Sequence, residues 1–123
     1  MMFAPIYSVV SGDAACQALL GGAPDTRIFP FGEADERTLY PYAVWQVVSG
    51  SPENYLAGLP DADGVTLQVD IYASTSASAF AVAKVLRNVI EKSAYIVRWG
   101  PQPRDPQTKS YRISFDVDWL IPR

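Results

Sequence analysis

Asp70, Asp116 and Asp118 are the residues of this chain whose type could do chemistry together. Asp70 follows Gln68 in the alternating run VTLQVDIY, and the other two follow Arg112 in YRISFDVDW. If those runs are neighbouring strands, all three acids share one sheet face. Three carboxylates in one place can hold a hard cation, or divide into a general acid and a general base. The competing reading is a solvated sheet face, where alternation demands a polar residue at every second position. It is favoured, because no glycine-rich loop or further ligand motif accompanies the acids. There is no histidine in the chain, which removes Ser-His-Asp and Cys-His nucleophiles and the usual zinc sites. The single Cys16 cannot form a disulfide within the chain and fits a reducing compartment. Its apolar surroundings read as a small buried residue rather than a reactive thiol. No phosphate-cradling loop or nucleophile elbow is present, so no enzyme, cofactor or metal is expected.

The elements that would carry these acids centre on residues 63–93. Val65, Leu67, Val69 and Ile71 alternate with Thr66, Gln68, Asp70 and Tyr72, the period of a strand with one buried face. Ser74, Thr75 and Ser76 then offer hydroxyls for a helix start. Beyond them Ala79, Val82, Ala83, Leu86, Val89 and Ile90 recur at helical spacing as a stripe about 120° wide. Phe80 and Val85 lie off that stripe on opposite flanks, suited to a wide core or to another subunit.

Around this centre, residues 6–20 read as one interrupted helix or two short ones, with Asp13 as a cap and Gly21-Gly22 closing through a left-handed turn. Arg27 to Pro30 is a short extended piece suited to a sheet edge, since proline cannot donate to a ladder. Residues 31–39 read as a solvated, charged loop. From Tyr42 to Val48 both faces are largely apolar, Ala43, Trp45 and Val47 against Tyr42, Val44 and Val48, which requires a cover on each side. The connection from Ser51 to Ala62 is long and carries Tyr55, Leu56 and Leu59, anchors for a partner or a fold back onto the core. Tyr95, Val97 and Trp99 alternate with Ala94, Ile96 and Arg98. Residues 100–110 have three prolines and no apolar anchor, so a mobile excursion is expected. Tyr111, Ile113, Phe115, Val117 and Trp119 form the clearest buried strand face.

These elements predict an α+β fold of two layers. A four-stranded, mainly antiparallel sheet carries one long helix on one face, with a short N-terminal helical segment. Counting the edge piece as first, the strand order is second, third, fifth, fourth, and Phe115 lies beneath the helix. The 123 residues make one domain, 1–123, with an ordinary 49% hydrophobic and 19% charged composition. No apolar run of membrane-spanning length and no secretory signal is read. A net charge of −3 argues against a protein that grips nucleic acid through its phosphates.

The motifs resemble the tail-completion or tail-terminator proteins of long-tailed phages. Leu19 to Gly22 is similar to that family's "LLGG" and Arg27 to Pro30 to its "RIFP". Leu39 to Gly50 resembles its "LPY" and "QVVSG" strand, with Tyr40 inserted. Gln68 to Ala73 and the helix after Ser76 resemble its "QVDIYA" strand and alanine-rich helix, and Tyr111 to Leu120 its final strand. The resemblance implies a structural virion protein without catalysis. Such a protein forms a homo-oligomeric, hexameric ring on the last ring of the tail tube, stops tube polymerisation and offers a surface to the head. Its implied partners are other copies of itself, the major tail tube protein and the head-tail connector or neck protein, with genome DNA only in transit and no membrane. The implied location is the tail end or neck of the virion, after synthesis in the host cytoplasm. On this resemblance Tyr42, Tyr55, Leu56, Leu59 and Phe80 become candidate partner contacts, and Asp70, Asp116 and Asp118 candidate lumen-facing acids. Another small neck or head-completion protein is the alternative, and an acidic metal-binding or hydrolytic domain a further one.

Overall fold

The computed structural model describes residues 4–34, 37–53, 62–100, 102–104, 106 and 109–122. Tyr55, Leu56 and Leu59 lie outside them. The strand-to-helix unit read from the central alternation is present as β3 (Ala62–Ala73) and α3 (Ser76–Ile90). Thr75 caps α3, its hydroxyl accepting from the Ser78 amide at 3.1 Å. The buried residues of α3 are Ala79, Val82, Ala83, Leu86, Val89 and Ile90, the whole apolar stripe.

Beneath α3 lie β3 and β5 (Tyr111–Pro122), antiparallel, with Leu67 opposite Val117, Val69 opposite Phe115 and Ile71 opposite Ile113. All six side chains are buried. Each such side chain contributes about 1.5–3 kcal/mol of hydrophobic stabilisation. The strand β2 (Tyr42–Glu53) pairs with the other edge of β3, and β4 (Tyr95–Trp99) with the outer edge of β5. The predicted order of these four strands is observed.

The sheet has five strands rather than four, in the order β1-β2-β3-β5-β4, and is mixed. The edge piece is a true strand, β1 (Ile28–Pro30), parallel to Ala43–Trp45 of β2. A parallel pair needs a long crossover between its strands, and the connection from β1 to β2, residues 31–41, supplies it. The N-terminus is two helices, α1 (Ile6–Ser11) and α2 (Ala14–Leu20), both packed on α3. So α3 is one of three helices in its layer. Asp13 caps α2 by accepting from the Cys16 amide at 3.1 Å. The helix stops at Gly21, whose φ of 90° suits glycine but whose ψ of 157° is extended, not the left-handed turn expected. The Arg27 guanidinium closes the helix end instead, donating to the Leu19 carbonyl at 2.8 Å and the Pro41 carbonyl at 2.9 Å.

Two further expectations change. Ser51 to Glu53 and Ala62 belong to strands, not to the connecting loop: Glu53 pairs with Ala62, and Ala62 with Pro122. The outer ends of β2, β3 and β5 thus form a three-stranded arm. Residues 102–104, expected in a mobile excursion, run along β5. Arg104 bridges to Tyr111, and the Arg112 amide donates to the Pro103 carbonyl at 3.0 Å.

Candidate interaction surfaces

The face of the sheet away from the helices carries the three acids in the arrangement the alternation predicts. On β3 and β5 the register sets Thr66 opposite Asp118, Gln68 opposite Asp116 and Asp70 opposite Ser114. Each carboxylate is engaged separately. Asp118 accepts from the Thr66 hydroxyl at 2.6 Å. Asp70 accepts from the Ser114 hydroxyl and, at 3.3 Å, from the Gln68 amide. Asp116 faces Arg98 of β4 at 3.7 Å. Acids held apart by their own partners do not converge on one cation. Among the described residues no group of three or more His, Cys, Asp or Glu side chains could hold a metal ion.

At the other side of this face, aromatic rings replace the acids. Tyr42 stacks between Tyr40, 5.7 Å away, and Tyr72, 5.1 Å away, with Phe29 edge-on at 6.4 Å. The inserted Tyr40 therefore extends a stack. Burial first, then Tyr40 and Tyr72, raises the Tyr42 phenol above its ordinary value. These rings leave Tyr42 half-buried within its own chain, while Val47 and Val48 further along β2 stay exposed, so the cover expected on both faces of β2 is incomplete.

On the helical side, Phe80 stands 53% exposed on α3 and Trp99 44% exposed on β4. They line a groove of about 330 Å³ with Lys84, Arg87, Gln102 and Ile113. Trp99 was expected on one face with Tyr95 and Val97, but a bulge between Ile96 and Arg98 breaks that alternation. Ile96 and Trp99 then face the helix, where Trp99 packs on Phe115 at 5.0 Å, while Tyr95 lies opposite Asp118. Sequence reasoning missed this groove. Phe80 off the stripe was its one visible signal, because Lys84 and Arg87 read simply as a solvated helix face.

A second groove, of about 630 Å³, lies between α1 and the β1–β2 edge and is lined by Ala4, Tyr7, Phe31, Trp45 and Val47, among others, with no charged side chain among the described residues. Beyond Trp45 the outer edge of β2 has no strand partner among the described residues. Cys16, in contrast, is sealed. Its thiol donates to the Val85 carbonyl at 3.6 Å, and burial together with Asp13 pushes it up to about 12.

The family model described as "Tail completion protein gp17" matches residues 4–122. The fold is also similar to a chain in the solved virion of a native gene transfer agent particle. The TM-score is 0.72 at 14% identity, covering 96% of this chain and 92% of that one. No curated protein matches the sequence.

Proposed function

The chain belongs to the tail completion protein gp17 family, and from that premise we propose that it forms a ring, hexameric in stoichiometry, which caps the tail tube. Its role in a phage-type tail is structural. In the ring it ends tube polymerisation and presents a surface for head attachment, at the tail end or neck of the virion. It acts as a single domain, made in the host cytoplasm. Its partners are further copies, the tail tube protein on one side and the connector or neck protein on the other.

The observation that carries this reading is the distribution of uncovered apolar surface. Phe80 and Trp99 line one groove, and Phe31, Val47 and Tyr7 another, on a domain whose core is already complete. Apolar surface grouped in this way suits protein contacts. The open sheet face fits a lumen. It carries three carboxylates against Arg98, which pairs with Asp116, and Arg112, opposite Tyr72, so it presents no net positive charge to hold DNA phosphates in transit. Among the described residues no helix is long and apolar enough to cross a membrane.

The test is assembly of tail tubes with and without the purified protein, imaged directly. The expected result is one ring at the end of each tube and a defined tube length. Monomers that leave tubes unbounded would overturn the proposal. Rings that join connectors yet ignore tubes would move the protein to the neck.

A further inference from the structure

The groove between α3 and β4 has a chemistry of its own. Its walls are the apolar faces of Phe80, Trp99 and Ile113, and its rim carries Lys84 and Arg87. Neither cation forms an ion pair with a carboxylate among the described residues, unlike Arg98, which pairs with Asp116. An occupant should therefore combine bulky apolar groups with negative charge. Among the described residues the second groove, beside α1, lacks any such charge.

One segment of this chain has that composition. Residues 53–63 read ENYLAGLPDAD: Glu53, Asp61 and Asp63 with no lysine or arginine, around Tyr55, Leu56 and Leu59. It includes the tip of the arm, because Glu53 pairs with Ala62 and Ala62 with Pro122 at the end of β5. The tip cannot fill its own groove. Trp99 pairs with Phe115, and from Phe115 to Pro122 the strand covers about 23 Å; from Ile113 it covers about 30 Å. Residues 54–61, rooted at both ends, reach about 14 Å even when fully extended.

Resting on the ring reading above, the geometry points to a contact between copies: the 54–61 tip of one copy seats in the Phe80–Trp99 groove of the next. The donor and acceptor surfaces lie at opposite ends of one sheet, so the contact is head-to-tail. Each copy gives a tip to one neighbour and takes a tip from the other. A heterologous contact of this kind closes into a ring when its rotation allows. Desolvated aromatic and apolar anchors supply affinity, while the charges choose the partner and the register.

The native chain suits a cross-linking test, since buried Cys16 has a thiol pushed up to about 12 and gives no background. Chains carrying Leu59→Cys are mixed with chains carrying Gln102→Cys and oxidised, after both are shown to melt normally. The expected product is a disulfide-linked pair containing one chain of each kind, and a ladder ending at the ring when both substitutions share a chain. Lys84→Glu with Arg87→Glu should weaken association at least tenfold, and Asp61→Lys with Glu53→Lys should restore most of it. Rings that form without the cross-link and ignore the charge reversal would overturn this contact and leave the ring standing. Chains that stay monomeric even on tail tubes would overturn both.

Discussion

The two flanks of α3 carry one off-stripe apolar residue each, and the molecule treats them differently. On the first flank Val85 is half-buried and packed against the core. Helix α2 lies over it, Cys16 hydrogen-bonds its carbonyl, and Val10 and Leu20 are fully buried alongside. On the second flank Phe80 faces Trp99 across an open groove rimmed by Lys84 and Arg87. The helix is the same, and so is the class of residue. What differs is that the N-terminal helices fold back over one flank, whereas β4 stops at Trp99 and leaves the other open. On the proposed function, an exposed Phe80 is a surface for assembly.

The largest effect should come from opening the closed flank. Leu20→Ala removes a buried side chain between α2 and the core, and should cost about 2–5 kcal/mol in chemical unfolding. A loss under about 1 kcal/mol would mean that α2 seals nothing.

A second expectation concerns the thiol on the same flank. Folding raises Cys16 from its ordinary 9.0 to about 12, so the folded state holds the proton more tightly than the unfolded one. The stability this contributes is whole below pH 9 and is lost as pH rises towards 12, at up to about 1.4 kcal/mol per pH unit. The stability difference between the native chain and Cys16→Ala should therefore shift steadily as pH rises from 9 towards 12, the native chain losing the more. A constant difference would put the thiol in water.

The smallest effect on stability should come from the open flank. Phe80→Ser should change the monomer's unfolding free energy by no more than about 0.5 kcal/mol. The same change should abolish ring formation, read by sedimentation. Destabilisation comparable to that of Leu20→Ala would make the two flanks equivalent.

Much of the closed region was legible. The stripe from Ala79 to Ile90, the cap at Thr75, the split at Ser11–Gly12 with its Asp13 cap, and the buried faces of β3 and β5 all rest on neighbours within four positions. Their periodicity is written locally. The order of four strands followed as well, because the strands flanking α3 leave one place for the last. The open region was less legible. One extra residue near Val97 turns Trp99 towards the helix, and no local pattern distinguishes that bulge from plain alternation. The pairing of β1 with Ala43–Trp45 joins residues distant in the chain, so a three-residue piece gained strand geometry from its partner rather than from its own pattern.

The sequence alone determined the elements, their buried faces, the lack of histidine chemistry and the motifs that mark the family. These depend on residue type and short spacings, which do not change when the chain folds. Tertiary structure decided what those elements leave uncovered. Asp70, Asp116 and Asp118 reached one face but were drawn to Ser114, Arg98 and Thr66, since side chains bond to whatever the register sets beside them. Val85 was packed against the core and Phe80 left open for the same reason. Whether an apolar residue is core or contact depends on which distant segment reaches it, and only the fold brings distant segments together.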